Sequence, residues 1–350
     1  MKVLFIDSAF HRKTASSQFM QELLARKHDL KTVYLEGDFK YQAAEISRLS
    51  GQYDALVVWQ FGGNEIGRSI RHRNLVFVPM YDNTGLGDED LWERLDGVKV
   101  LSFCRAMHDN FVSRDINSLY AQYYPEIKPC GGARQGKGIF FWQRVREIDW
   151  NTLKLLIGNQ KVERINLHFT PNLGALGARP TSLERLKYNI EQTSWFEDYA
   201  DYLDLLSRMR YYLAPRITEG IGMSFLEAMS AGCTVIAADK PTMSEYIEQG
   251  KTGLLFDPFN PAMIDLEAYG DLTSNVLDSM SEGRRAWVEK ENEIVDFIVS
   301  GNPRRWNKSF MKHFASRSRI NLKSVLKVMI KLLPYIIVDR LYRNRARRAN

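Results

Sequence analysis

Cysteine is scarce in this sequence, and the few cysteines form no pattern. The 350 residues include three, Cys104, Cys130 and Cys233, which lie far apart and contain no CxxC pair. This spacing disfavours both a disulfide framework and a zinc site and is typical of a reducing compartment. The six histidines also lack a metal-binding spacing such as HxxxH, so we expect neither a metal nor another cofactor.

Long hydrophobic runs are missing as well. No stretch reaches the roughly 18 uninterrupted apolar residues of a membrane-spanning helix. Residues 1–7 contain one basic residue and a short apolar run, which predicts a first β-strand rather than a signal peptide. Apolar residues make up 45% of the chain, enough for packed cores, and the length predicts about two domains.

Acidic residues are almost absent from one end of the chain. The net charge is +6, yet residues 303–350 hold 14 Lys or Arg and a single acid, Asp339. The preceding residues hold 34 basic and 41 acidic side chains, so a mildly acidic body carries a strongly basic tail. Nucleic-acid binders more often spread positive charge over the folded domain and interleave it with aromatic residues, so we expect no nucleic-acid partner.

Apolar, β-branched segments alternate with helical patterns in two series, which is typical of parallel sheets covered by helices. The first series predicts strands at 2–6, 54–59, 75–80 and 98–103 and a helix at 17–26. The second predicts strands at 138–143, 165–169, 211–214 and 234–237 and helices at 151–158, 182–189, 202–209 and 223–231. A mostly helical stretch then runs from 263 to about 313.

Turn-forming residues cluster around 124–132 and interrupt the alternation there. We therefore predict an N-terminal domain at 1–128, a C-terminal domain at 129–302 and a basic helical tail at 303–350. Two doubly wound domains in tandem can face each other across a cleft, and ligands bind at the carboxyl ends of such strands.

The segment 214–229 is the most informative, because a strand ends, a loop with two glycines follows and a helix begins near Met223. Gly220 and Gly222 let the backbone approach a ligand closely. The free amides of Gly222, Met223 and Ser224 would point at an anion, helped by the helix dipole. The segment therefore predicts a phosphate-binding helix start.

Two glutamates accompany this helix start. Glu219 lies in the loop, and Glu227 lies one turn into the helix, where its side chain leans back toward the anion. Carboxylates beside a phosphate would repel it unless they bind sugar hydroxyls, as an acid does with a ribose diol. Either glutamate also has a plainer interpretation, Glu219 as a solvated loop acid and Glu227 as a first-turn acid favoured by the dipole.

The Glu-x7-Glu spacing of these residues, continued through 228–237, Glu245 and 253–256, resembles the retaining glycosyltransferases of family 4, also called group 1. The resemblance is specific over 205–258 and weaker over 138–189. It implies the GT-B fold, an α/β architecture of two Rossmann-like, doubly wound domains facing across a cleft. It also implies a nucleotide-sugar donor held mainly by the C-terminal domain and an acceptor held mainly by the N-terminal one.

The resemblance also implies roles for single residues. Glu219 matches the residue that contacts the hydroxyls of the donor sugar and stabilises positive charge at the anomeric carbon, and Glu227 matches the ribose ligand. Arg144 matches the arginine that neutralises the donor pyrophosphate, or else it is a surface salt-bridge partner. The family usually has a lysine about five residues later, where this chain has Asp149, and Arg146 is the expected substitute.

The N-terminal half departs from the family further. Residues 7–10, Asp-Ser-Ala-Phe, stand where the family has a glycine pair, and Tyr81 stands where a histidine is common. Asp82 and His108 both follow predicted strands on the expected cleft side, and they are candidate acceptor ligands. Polar residues are common at strand ends, so a structural role is the alternative for both.

Three further features have mainly structural interpretations. Gly62 and Gly63 form either an acceptor loop or an ordinary turn. His168 is expected to be structural, and the pair Trp195 and Phe196 is expected to belong to the core rather than to a base pocket.

Together these expectations indicate transfer of a sugar from a nucleoside diphosphate to an acceptor hydroxyl, with retention at the anomeric carbon. Neither a metal nor a dedicated base is needed if the leaving phosphate accepts the proton. One alternative is a catalytically degenerate GT-B binding protein, because the lysine is missing and the N-terminal loops are altered. Another is a glycoside hydrolase, whose paired acids must instead flank a glycosidic bond.

The tail has its own pattern. Lys323, Lys327 and Lys331 share one helical face opposite an apolar one, and Pro334 and a run of arginines follow. An amphipathic basic helix of this kind suits the surface of an anionic bilayer, with packing on the protein itself or disorder as the alternatives. Residues 317–350 therefore predict a cytoplasmic protein, peripheral on the inner face of the cell membrane, that meets a lipid-linked or cell-surface glycan acceptor.

Overall fold

The structure is a computed structural model, and it describes residues 1–36, 46–60, 70, 72–84, 95, 97–127, 137–169, 177–194 and 196–301. The basic tail, the pair Gly62 and Gly63, Cys130 and Trp195 lie outside the described residues, and their predictions stand as made.

Six parallel strands form the first sheet, in the order β2-β1-β3-β4-β5-β6. Their bounds are β1 (Lys2–Ser8), β2 (Asp29–Leu35), β3 (Ala55–Trp59), β4 (Leu75–Val78), β5 (Lys99–Ser102) and β6 (Ser118–Tyr120). The four central strands are the apolar runs predicted from the sequence, and the structure confirms them. The two edge strands, β2 and β6, were not predicted, because a half-exposed edge strand needs few apolar residues.

Four helices connect these strands within the described residues, α1 (His11–Thr14), α2 (Gln18–Ala25), α3 (Tyr81–Thr84) and α4 (Arg105–Ser113). The strand order of the sheet reverses beside β1, whose neighbours are β2 on one side and β3 on the other. The connections that leave β1 and β3 therefore diverge at the carboxyl edge of this sheet, which is where ligands bind in doubly wound folds.

A second sheet of six parallel strands follows, in the order β12-β11-β10-β7-β8-β9. Its strands are β7 (Ile139–Gln143), β8 (Ile165–Phe169), β9 (Ile190–Thr193), β10 (Tyr211–Leu213), β11 (Thr234–Ala238) and β12 (Gly253–Phe256). Its helices are α5 (Trp150–Ile157), α6 (Ser182–Lys187), α7 (Tyr199–Ser207) and α8 (Met223–Ser230), with a 3-10 turn at Met243–Glu245. This is the strand order of dinucleotide-binding folds, with the reversal between β7 and β10.

The predicted elements of this half are confirmed, with one correction. The helix predicted over 182–189 begins with a capping box between Thr181 and Glu184 and already ends at Lys187. The next residues form the edge strand β9, which the polar pattern Ile-Glu-Gln-Thr did not reveal. Short polar edge strands carry too little hydrophobic signal to be separated from a helix end.

The long helix α9 (Thr273–Val299) is the last element of the described chain. It begins ten residues later than the helical stretch that the sequence predicted from 263. It packs against α2 and β3 of the first half. The side-chain amide of Asn74 donates to the carbonyls of Ile298 and Val299, at 3.0 and 3.1 Å. In the part of the chain that the structure describes, no helix is long and apolar enough to cross a membrane. The domain limits at 128 and 302 stay a prediction.

Candidate functional site

The glycine-bearing loop lies at the reversal point of the second sheet. β7 is followed directly by Arg144, and β10 is followed by residues 214–222, so both segments leave the carboxyl edge at neighbouring strands. The helix α8 begins at Met223 as predicted. The sequence-predicted donor residues therefore share the crevice where doubly wound sheets bind nucleotides.

Two glycines shape this loop for different reasons. Gly222 has φ +82° as the N-cap of α8, and a Cβ there would also clash with the ring of Phe225. A Cβ on Gly220 would lie 2.7 Å from Cβ and Sδ of Met80, so the loop packs tightly against the end of β4. The buried hydroxyl of Thr242 lies 2.8 and 2.9 Å from the carbonyls of Glu219 and Gly220 and donates to this pair. The loop is thus held from both halves of the chain.

A partly buried cluster of charged side chains surrounds the loop. Nη1 of Arg216 lies 2.7 Å from Oδ2 of Asp82, and Nε of Arg216 lies 4.0 Å from Oε1 of Glu219. Glu219 is only 8% exposed. Asp82 was predicted as an acceptor ligand, and the structure brings it to Glu219 across 137 residues of chain. Arg216 was not singled out from the sequence, although a cation three residues before a functional loop glutamate is a usable signal.

Arg144 joins this cluster from β7. Its guanidinium stacks on the ring of Trp142, 4.4 Å from the centroid. Burial lowers the pKa of Arg144, and the nearby positive charge of Arg216 lowers it further, while Glu219 and Asp82 oppose the change. Two arginines and two carboxylates therefore lie within electrostatic reach of one another.

Several polar atoms of this cluster are buried without a hydrogen bond. Among the described residues, no partner is found for Nε of Arg144, Nε of Arg216 or Oδ1 of Asp82. Native proteins satisfy nearly all buried polar atoms, so each such group needs an explanation. A polar ligand that binds at this edge would supply the missing partners.

Glu219 has an unusually high pKa for a carboxyl group. Burial is the main cause that raises its pKa, to about 7, and Asp82 adds to the rise while Arg216 and Arg144 oppose it. Burial likewise raises the pKa of Asp82, with Arg216 opposing. Carboxyl groups displaced in this way by burial and specific charges are typical of functional sites.

Glu227 lies on α8 and has its own hydrogen-bond partner. Its Oε1 accepts a hydrogen bond of 2.7 Å from the hydroxyl of Tyr199. Met223, Glu227 and Ser230 recur every three or four residues and line one side of a cavity of about 280 Å³. Burial raises the pKa of the Tyr212 hydroxyl, and Glu219 and Glu227 both add to the rise, so the two glutamates lie within electrostatic reach of the same residue.

The predicted second cation, Arg146, lies on the surface, in the exposed bend between β7 and α5. The departure at Asp149 has a local structural reason. Its carboxylate caps α5 by accepting from the amides of Asn151 and Thr152, at 2.9 and 3.2 Å, and it also accepts from the amide of Ala178 at 2.7 Å. An acid is favoured at this helix start, where a lysine would not cap.

The structure gives His108 different neighbours. Nδ1 of His108 lies 2.9 Å from Oγ of Ser118, and its ring faces Tyr120, so its described partners belong to β6 rather than to the Asp82 cluster. Burial lowers its pKa. His168 is structural as predicted, because it is buried, stacks on Phe196 at 5.2 Å and pairs with Thr193. Phe196 packs against the core, also as predicted.

A metal centre was not expected from the sequence. Within the described ranges, no three His, Cys, Asp or Glu side chains come together as a possible metal site. Whether the activity needs a metal stays a prediction, tested below.

Part of the chain matches a known protein family. Residues 150–267 match the family described as glycosyl transferases group 1. This range contains the loop, the helix α8 and both glutamates, so the resemblance found from those residues is confirmed. No curated protein sequence matches the chain.

Solved structures add the fold. HepE of Anabaena in complex with UDP-glucose has a TM-score of 0.56 at 14% identity, over 84% of this chain and 98% of that one. The lipopolysaccharide outer core galactosyltransferase WaaB has a TM-score of 0.51 at 12% identity, over 85% and 98%. Trehalose-6-phosphate synthase OtsA has a TM-score of 0.58 at 8% identity, over 87% and 100%. At these identities the likeness concerns the fold alone, and it confirms the predicted GT-B architecture.

Proposed function

We propose that this chain, which carries a group 1 glycosyltransferase sequence on a GT-B fold, transfers a sugar from a nucleoside diphosphate to an acceptor hydroxyl. We further propose that the configuration at the anomeric carbon is retained. The observation that carries the proposal is the cluster at the carboxyl edge of the second sheet. There, a buried glutamate and two arginines adjoin the uncapped start of α8.

In this proposal the donor diphosphate binds Arg144, Arg216 and the first amides of α8. The unpartnered Nε atoms of both arginines support this assignment, because phosphate oxygens are the acceptors that a guanidinium fork prefers. Arg216 takes the place that the sequence had suggested for Arg146. The helix start adds partial positive charge toward the same anion.

The reaction breaks the bond between the anomeric carbon and the phosphate oxygen, and the electron pair stays on the departing diphosphate. Positive charge develops on the sugar ring, and ionised Glu219 stabilises it. The acceptor oxygen bonds to the same face of the anomeric carbon, and its proton passes to the departing phosphate oxygen. Two arginines already neutralise that diphosphate, so activity is expected to survive EDTA.

Glu227 is proposed to bind the ribose hydroxyls of the donor. The hydroxyl of Tyr199 fixes one carboxylate oxygen, and the adjoining cavity has the volume and aromatic lining that suit part of a nucleoside. Substitution of Glu227 should therefore weaken nucleotide binding and leave the chemistry at the sugar unaffected.

A donor screen tests the proposal. The wild-type protein and Glu219→Gln are incubated with UDP-, GDP- and ADP-sugars, and nucleotide release and products are measured by mass spectrometry. Release with a new glycoside supports the transferase, and NMR of its anomeric proton tests retention. Binding without turnover by the wild type would favour the degenerate binding protein, and release of sugar from oligosaccharides alone would favour the hydrolase.

The acceptor is proposed to be a lipid-linked or cell-surface glycan, met at the inner face of the cell membrane through residues 317–350. The basic tail supports this, because each Lys or Arg near an anionic bilayer contributes about 1 kcal/mol. Deletion of 317–350 should abolish salt-sensitive binding to vesicles of anionic lipid and spare transfer to a short soluble acceptor. Equal vesicle binding by the full and truncated proteins would exclude this role.

A further inference from the structure

A second buried polar network lies at the carboxyl end of β1 and has no part in the proposed donor site. Asp7 is fully buried there. Its carboxylate accepts hydrogen bonds from the amide of Ser8 at 2.7 Å, from Nδ1 of His11 at 2.5 Å and from the hydroxyl of Ser17 at 2.5 Å. Three donors offset the cost of burying this carboxylate.

The network is not explained by helix capping. Ser17 is the N-cap residue of α2, yet its hydroxyl makes no cap hydrogen bond and donates to Asp7 instead. Gln21 supports it from behind, with its amide nitrogen donating to Ser17 at 2.9 Å and its oxygen accepting from Thr32 at 2.8 Å. Side chains that could stabilise α2 are thus used to fix a carboxylate and, through it, an imidazole.

His11 is the outermost member of this network. In the tautomer whose Nδ1 donates to Asp7, Nε2 is an acceptor. The ring is held almost buried, at 8% exposure, while the adjacent Phe10 is 57% exposed and meets it edge-on at 6.1 Å. An exposed aromatic face beside an oriented polar atom is suited to a sugar, whose ring has an apolar face and a polar edge.

The position in the sheet relates this network to the charge cluster. His11 follows β1, beside the strand reversal of the first sheet, and Asp82 follows β4, two strands away at the same carboxyl edge. At the usual strand spacing, the axes of β1 and β4 are roughly 10 Å apart. Since Asp82 is paired with Arg216 and lies near Glu219, the network and the proposed reaction centre share this edge.

We propose that His11, oriented by Asp7, binds the acceptor hydroxyl that attacks the donor, with Nε2 accepting a hydrogen bond from it and Phe10 covering the apolar face of the acceptor sugar. The proposal rests on the proposed glycosyl transfer. His11 orients the hydroxyl, and the proton still passes to the departing phosphate. Asp7 is a positioning residue, because it acts through the imidazole.

Two matched variants test this. In His11→Asn, the amide nitrogen replaces Nδ1 and keeps a donor for Asp7, and the acceptor atom at Nε2 is lost. Ser17→Ala removes a different donor from the same carboxylate. With octyl glucosides, galactosides and mannosides as acceptors, we expect His11→Asn to lower kcat/KM for the best acceptor at least tenfold. Hydrolysis of the donor by water should stay within about twofold of wild type.

Ser17→Ala should lower the Tm and reduce the acceptor kcat/KM far less than His11→Asn does, because the amide of Ser8 and Nδ1 of His11 still hold Asp7. Saturation-transfer NMR with the same octyl glycosides gives a second readout, in which His11→Asn should lose the signal and Ser17→Ala should keep it. If His11→Asn matches wild type in both assays, or loses donor hydrolysis equally, the proposal is wrong. If wild type consumes no donor at all, the glycosyl transfer fails instead, and the NMR comparison alone decides the role of His11.

Discussion

Two cations lie near opposite edges of the first sheet, and their polar atoms are satisfied in opposite ways. Lys99 is buried at the amino edge, whereas Arg216 is a partly buried residue of the loop after β10 that reaches Asp82 at the carboxyl edge. At the amino edge, Lys99 begins β5 and is 1% exposed, and its ammonium donates to the carbonyls of Phe297, Ile298 and Ser300. At the carboxyl edge, Arg216 pairs with Asp82, yet its Nε, like that of Arg144, has no hydrogen-bond partner among the described residues.

The difference separates structure from function. An ammonium has three protons, and the end of α9 supplies three acceptors, so Lys99 needs nothing beyond its own chain. Burial lowers the pKa of Lys99 to about 8, and no residue of opposite charge is required. The arginine cluster is less buried than Lys99, yet it has donors left over. The carboxyl edge differs in the combination it presents, two arginines with unpartnered Nε atoms beside two carboxyl groups whose pKa is raised by burial.

The largest expected effect falls on Glu219→Gln, which removes the carboxylate and keeps its volume. Turnover of the preferred donor should fall by about ten- to a thousandfold, because charge stabilisation at the reacting carbon is lost in the chemical step. Nucleoside diphosphate affinity should be nearly unchanged in calorimetry. Full turnover in this variant would exclude Glu219 as the catalytic carboxylate.

Arg144→Ala should weaken nucleoside diphosphate binding by about 3 kcal/mol, because a buried charge-assisted contact to phosphate is lost. Affinity for the free nucleoside should change far less, since it carries no phosphate. Calorimetry with both ligands gives the comparison. Equal losses would make Arg144 structural, like Lys99, and remove the distinction between the two edges.

Lys99→Met should lower the free energy of unfolding by about 2 to 3 kcal/mol, because the carbonyls at the end of α9 lose their donor. Nucleotide affinity of the folded protein should stay at the wild-type value. Urea unfolding and calorimetry measure the two quantities. A loss of affinity without a loss of stability would show that the amino edge is not merely structural.

The pH dependence of stability should sharpen the contrast further. The folded pKa of Glu219, about 7, lies above the usual value of 4.5, so the folded state holds this proton more tightly. The resulting stabilisation is complete below about pH 4.5 and is lost as pH rises through 7. The stability of Glu219→Gln relative to wild type should therefore be about 3 kcal/mol greater at pH 8 than at pH 4.5. Parallel pH profiles for the two proteins would contradict this.

The sequence predicted those parts of the site that depend on local signals. The start of α8, Glu219, Gly222 and the neighbouring Arg144 are all marked by residues close in the chain or at strand ends. Asp82 was predicted as a strand-end residue, but its pairing with Arg216 joins residues 134 positions apart and carries no local pattern. The contacts of Lys99 with the end of α9 span about 200 residues and were missed for the same reason.

Some departures from the family could be interpreted only with the structure. In the sequence, Asp149 stands where the family has a phosphate-binding lysine, and in the structure its carboxylate caps α5. Asp7 begins the segment that stands where the family has a glycine pair, and in the structure its carboxylate accepts a hydrogen bond from His11. A substituted residue at a motif position indicates which of the family's contacts is absent. Only the contacts in the structure show what the substituted side chain does instead.

The most direct test of the central claim is calorimetric titration of the matched variants Arg216→Gln and Arg146→Gln with the nucleoside diphosphate of the preferred donor. Both remove one arginine from loops at the same sheet edge, but only Arg216 pairs with the carboxyl groups of the charge cluster. We expect Arg216→Gln to weaken affinity by about tenfold or more, equivalent to about 1.4 kcal/mol, and Arg146→Gln to change it less than about twofold. An unchanged affinity in Arg216→Gln, or an equal loss in Arg146→Gln, would contradict the claim that the charge cluster around Glu219 binds the donor diphosphate.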